Sequence, residues 1–151
     1  MKKLFFFAAA LFAAVSFSAC SDDNKDASIV GTWQITREVG YEIVPGEGKF
    51  DKDITYPIDD VNDDYGFYYT YTFNEDGSGT YKSFNYYENN QLQEEWPLKY
   101  SISNNVLTIP QEYEYNGTFK IEQLTKTQLV LFEEIDDDGY KAAITYTFKK
   151  I

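Results

Sequence analysis

The sequence has no histidine, one cysteine and one arginine, Arg37. Without histidine, the chain lacks the commonest general base and the commonest protein ligand for transition metals. One cysteine cannot close an internal disulfide, so a folded domain here must rest on its own apolar core. Basic residues are scarce: 13 Lys and Arg stand against 25 Asp and Glu, a net charge of −12. Such a surface repels phosphate backbones and anionic headgroups, which argues against nucleic acid as a partner and against a basic patch as the route to a membrane. Long apolar runs are missing too. The one run, residues 4–15, falls short of the roughly 20 residues that span a bilayer. No stretch after it carries a helical period, and no phosphate-binding glycine loop or His–nucleophile pair is present.

What the chain has in excess is aromatic side chains. They make up 19% of the residues, with 14 Tyr and 12 Phe. Aromatics suit the pleated, half-buried surface of a strand, so the composition leans toward β structure. A length of 151 residues is enough for one domain.

The first residues read as an export segment. Met1-Lys2-Lys3 is a positive n-region, residues 4–15 are an apolar h-region, and Ser16-Phe17-Ser18-Ala19 is a c-region of mostly small residues. The segment closes on Phe17-Ser18-Ala19-Cys20, which resembles the bacterial lipobox, with Phe17 where Leu is usual. The resemblance implies a signal peptide over residues 1–19 and acylation of Cys20, whose chains would hold the protein to a lipid bilayer. Loss of residues 1–19 removes Lys2 and Lys3 and no acid, taking the net charge from −12 to −14. Residues 20–28 form a polar, acidic tether. Its run Ser21-Asp22-Asp23-Asn24-Lys25-Asp26 is similar to the surface-export signal of Bacteroidetes lipoproteins; the competing reading is a solvated tether with no addressing role.

The remainder, residues 29–151, reads as short strands divided by turn signals. Residues 29–39 form the first strand, with Trp33, Ile35 and Val39 in phase. Residues 40–64, with Gly40, Pro45, Gly46, Gly48 and Pro57, read as a long acidic loop. Tyr65, Phe67, Tyr69, Tyr71 and Phe73 then share one face of a strand. Asp76-Gly77, Asn89-Asn90, Asn104-Asn105 and Asp138-Gly139 mark turns. Further strands fall over residues 80–87, 95–101, 106–109, 117–124, 128–134 and 140–149. Eight short strands and no helix predict an all-β antiparallel up-and-down barrel.

Gly31-Thr32-Trp33 on the first strand is similar to the Gly-x-Trp start of a lipocalin barrel. Residues 71–80, 100–109 and 121–131 resemble the corresponding hairpins of small lipocalin-like lipoproteins of the Bacteroidetes. The resemblance implies an eight-stranded lipocalin-like barrel in the cell envelope, on the outer membrane and facing the cell exterior. It also implies that Trp33 closes the barrel floor beneath Lys149 or Lys150.

Four candidate sites follow. Trp33, Tyr69, Tyr71, Trp96, Tyr100 and Tyr146, with Phe84, Tyr86, Phe132 and Phe148, either line a small apolar ligand or fill the barrel core. Asp60, Asn62 and Asp64 have the alternate spacing of a calcium loop, but Tyr65 and Tyr71 stand where its Gly and closing Glu belong, which favours a solvated loop over a metal site. Tyr65, Tyr68, Tyr86, Tyr87, Tyr113 and Tyr115 would suit a glycan or protein partner, or cross-strand packing. Nothing pairs two carboxylates at a defined separation, so no catalytic residue, enzyme activity or cofactor is expected. The reading divides between a non-enzymatic carrier of a small apolar ligand and a filled barrel that binds partners through its long loop and outer tyrosines.

Overall fold

The computed structural model describes residues 27–60, 65–110 and 117–151, with the backbone alone for residues 59, 60 and 65. The expected export segment over residues 1–19, Cys20, Asn62, Asp64, Tyr113, Tyr115 and the side chains of Asp60 and Tyr65 lie outside the described residues.

Eleven strands make up the described chain: β1 (Gly31–Val44), β2 (Gly48–Thr55), β3 (Ile58–Asp60), β4 (Tyr65–Phe73), β5 (Ser78–Asn85), β6 (Gln91–Lys99), β7 (Ser101–Ser103), β8 (Val106–Ile109), β9 (Gly117–Leu124), β10 (Gln128–Asp137) and β11 (Tyr140–Lys150). They hydrogen-bond in the order β6-β5-β4-β1-β11-β10-β9-β8-β7, with β2 on β1 and β3 on β4. Every pairing among the described strands is antiparallel. The two ends of this path, β6 and β7, are separated by Tyr100 alone, whose N–H donates to the Gly77 carbonyl at 2.8 Å. The sheet therefore curls until chain continuity joins its ends, giving a nearly closed up-and-down barrel.

The three strands beyond the expected eight have identifiable sources. Tyr100 divides one extended segment into β6 and β7. The other two correct the reading of residues 40–64 as a loop. β1 runs on to Val44, turns at Pro45-Gly46, and returns as β2, paired with β1 from Arg37↔Thr55 to Val44↔Gly48. Pro45 and Gly46 mark only a tight turn here, with Gly46 at φ 82°. The turns at Asn104-Asn105 and Asp138-Gly139 place both residues at positive φ, as two-residue hairpin loops require.

The phase of β1 also departs from the sequence reading. Its pairing with β11 slips between Ile35 and Arg37. This β-bulge adds one residue and reverses which side chains face inward. Trp33 and Ile35 point in and are fully buried, but beyond the bulge Glu38 turns in while Val39 turns out, 40% exposed. Gly40 continues the inward row where β1 presses on β11: a Cβ there would stand 2.0 Å from the Ala143 carbonyl oxygen.

One end of the barrel is solid. Trp33, Ile35, Phe73, Leu107, Leu129, Leu131 and Phe148 are essentially inaccessible, and Ile29, Tyr100, Ile121 and Leu124 pack with them. The Trp33 indole N–H donates to the Ile29 carbonyl at 2.6 Å, and Lys150 Nζ lies 5.1 Å above its ring. Lys150, rather than Lys149, supplies the cation, and it also donates to the Val30 carbonyl at 2.7 Å.

Candidate functional site

The opposite end of the barrel has a different lining. β1 and β4 pair only from Gly31↔Phe73 to Gln34↔Thr70. Above that point they diverge: the upper part of β1 takes β2 as its neighbour, and the start of β4 takes β3. Tyr56 lies between β2 and β3 at the base of this split, where its N–H donates to the Thr36 carbonyl at 2.9 Å. Its hydroxyl reaches into the barrel and donates to Glu38 Oε1 at 2.8 Å. Tyr69, inward on β4, donates to the same oxygen at 3.1 Å. Glu38 is only 8% exposed, a carboxylate inside the barrel wall.

A second carboxylate faces it. On β10 the inward row Leu129, Leu131 continues to Glu133, whose Oε2 accepts a hydrogen bond from the Tyr146 hydroxyl at 3.0 Å. Tyr146 stands directly across from Glu38 in the β1–β11 register, which sets the Glu133–Tyr146 pair beside the group formed by Glu38, Tyr56 and Tyr69. Burial raises the Glu133 carboxyl above its ordinary range; the Tyr146 hydrogen bond partly opposes this and the Glu38 charge adds to it. Burial, reinforced by the neighbouring tyrosines and carboxylates, also holds the Tyr69 and Tyr146 phenols far above their usual value, so both stay protonated donors. Nearer the mouth, Glu42 accepts from the Tyr140 hydroxyl at 3.1 Å and pairs with Lys52 at 3.4 Å.

The expected aromatic lining divides between the two ends. Trp33 and Tyr100 belong to the solid end; the Tyr100 hydroxyl donates to the Asn74 carbonyl at 2.7 Å. Tyr69, Tyr71 and Tyr146 occupy the polar half, with Tyr69 5.8 Å from Tyr71 and both about 6 Å from Phe148, ring centre to ring centre. Trp96 shares the inner face through the register Trp33↔Tyr71↔Tyr81↔Trp96, but it lies on β6, the end strand of the path, and is 36% exposed. Phe84 and Phe132 do not line the interior, because they alternate with the buried Ser83 and Leu131 and so face outward; Tyr86 lies past the end of β5 and is exposed. Phe84 instead stacks on Tyr68 at 5.0 Å on the outer surface, in a row that continues across to the exposed Leu92.

What this end offers chemically is two carboxylates held by tyrosine hydroxyls. Among the described residues no group of three or more acidic or thiol side chains is placed to hold a metal ion. Sequence reasoning missed Glu38, Tyr56 and Glu133. Glu133 was legible from the Leu129-x-Leu131-x-Glu133 alternation; Glu38 was hidden by the bulge, and Tyr56 by the misread loop.

A family model described as a lipocalin-like domain matches residues 29–131. No curated protein matches the chain.

Proposed function

This chain belongs to the lipocalin-like domain family, and from that premise we propose that it is a lipid-anchored, non-enzymatic binding protein that carries a small ligand in the polar half of its barrel. The observation that carries the reading is the asymmetry of the interior. Large inward side chains at the Trp33 end are fully buried, whereas Tyr71, Glu133, Tyr140 and Tyr146 face inward yet remain half-buried. A barrel of this order has room for one small ligand where side chains do not fill it. Tyr69, Tyr71 and Tyr146 would hold the apolar body of that ligand.

The anchor part of the proposal rests on the lipobox-like Phe17-Ser18-Ala19-Cys20 and the export segment before it. On this proposal the domain sits at the outer membrane and faces the exterior, a reading supported by the acidic run Ser21-Asp22-Asp23-Asn24-Lys25-Asp26 after Cys20. Metabolic labelling with a fatty acid tests it: the parent chain takes up label and Cys20→Ala does not. Equal labelling of the variant would refute the anchor.

The carrier part is tested by native mass spectrometry of the lipid-anchored chain, purified from membranes in mild detergent. The expected result is a bound small molecule beyond the anchor itself. Only the anchored apo mass would turn the reading to the outer surface. There the half-exposed row Tyr68, Phe84 and Leu92, beside Tyr86, favours an interaction module for a protein or glycan.

A further inference from the structure

The lumen network is unbalanced in two ways. Charge is the first. Glu38 and Glu133 face one interior, and among the described residues neither forms an ion pair with lysine or arginine. The single arginine is engaged outside, with Arg37 Nε and Nη2 donating to Asp53 at 3.0 and 3.1 Å. Lys52, opposite Gly40 in the β1–β2 register, is taken by Glu42. A buried carboxylate without a counter-charge is unfavourable, and hydrogen bonds offset only part of that.

Hydrogen-bonding capacity is the second. The Tyr56, Tyr69 and Tyr146 hydroxyls each donate their single proton to a carboxylate oxygen. What the network has left is acceptors. Glu38 Oε2 receives no donor from the described residues although the side chain is nine-tenths buried, and Glu133 Oε1, on a half-buried side chain, likewise receives none. The complement of such a site is a group rich in donors and positively charged. The rings of Tyr69, Tyr71 and Tyr146 stand on the strands beside it, and an aromatic face attracts a cation through the ring quadrupole. A bare divalent ion is a poor fit, since calcium takes six to eight oxygens and two carboxylates fall short of a metal-holding group.

We propose that the ligand is a small organic amine, its ammonium group seated on Glu38 Oε2 and Glu133 Oε1 and its apolar body against Tyr69, Tyr71 and Tyr146. The inference rests on the carrier reading and names the ligand class of that same site. An uncharged or anionic ligand of equal size would leave the carboxylates unmatched or repelled.

Three probes of one shape separate these cases: 2-phenylethylammonium, 2-phenylethanol and phenylacetate, titrated by calorimetry at neutral pH into the full chain in nonionic detergent. The amine is expected to bind about tenfold or more tighter than the alcohol, the margin of a charge-assisted hydrogen bond over a neutral one, and phenylacetate not at all. Glu38→Gln keeps the shape and the tyrosine partners and removes the charge. It should weaken the amine by about the same tenfold factor and leave the alcohol within about twofold. Should that variant not fold, as judged by its near-ultraviolet circular dichroism, Glu133→Gln carries the same comparison. Alcohol or phenylacetate binding as tightly as the amine would overturn the amine while leaving a carrier. Amine binding that neither variant weakens would place the cation elsewhere and overturn the site. Silence from all three probes would overturn the inference as well, and the native mass spectrum would then judge the carrier reading separately.

Discussion

Trp33 has no exposed surface, its indole N–H is held by Ile29 and its ring lies beneath Lys150. Removing it opens a cavity where the floor cannot collapse, because strands on both sides are fixed by ladders. Trp33→Ala is expected to lower stability by about 3–5 kcal/mol, read from urea unfolding. An unchanged midpoint would contradict its place in the floor. Gly31 explains the first residue of the Gly-x-Trp signature. Its φ is 126°, and a Cβ there would stand 2.6 Å from Lys150 Cε, on the path that brings the ammonium to Val30. At the other end, Glu133 makes stability depend on pH. A carboxyl raised in the folded state adds stability that is complete below its unfolded value and is lost as pH rises through the folded one. Glu133→Gln cannot ionise. Between about pH 4 and pH 7 the urea midpoint of the parent should therefore fall relative to that of the variant. A difference that stays constant, or changes in the parent's favour, would rule out a raised Glu133.

At the scale of elements, β1 does two jobs with one strand. Its first residues pair with β4 and β11 and build the floor; after the bulge it pairs with β2 and β11 and turns Glu38 into the lumen. Thr36 secures the bulge by donating from Oγ1 to the Thr147 carbonyl at 2.9 Å while its own carbonyl accepts from Tyr56. Gly40 sets how closely β1 and β11 approach above it. Gly40→Ala meets backbone and not a movable side chain, so a loss of about 1–3 kcal/mol is expected in chemical denaturation. A neutral result would mean that the ladder shifts freely there. The β10–β11 hairpin turns on Asp138 and Gly139, at φ 44° and 85°. Gly139→Ala imposes a left-handed conformation on a residue with a Cβ, and about 1 kcal/mol should be lost.

At the scale of the whole molecule, charge and fold act against each other. With 25 acidic and 13 basic residues, compaction brings like charges together. The surface ion pairs, such as Lys141–Asp136 and Lys82–Glu95, are solvent-exposed and contribute little. Screening should therefore stabilise this protein: raising NaCl from about 10 mM to about 150 mM is expected to raise its melting temperature. A fall would mean that the favourable pairs outweigh the general repulsion.

Much of the architecture was written locally. Period-two alternation in residues such as Tyr69, Tyr71 and Phe73, and turn residues such as Asn104 and Asn105, depend on a few neighbours in the chain, so the sequence by itself determined an all-β antiparallel barrel and placed Trp33 in its core. It also carried the charge balance. The site was decided elsewhere. A bulge is an event between two strands, invisible until β1 is laid against β11, and it alone moved Glu38 from the outer face to the lumen. Residues 40–55 became a hairpin because β1 offered an edge above the point where β4 departs. Tyr56 and Tyr69 meet Glu38, and Tyr146 meets Glu133, because strands distant in sequence become neighbours once the sheet closes, and only that closure buries Glu38 away from bulk solvent.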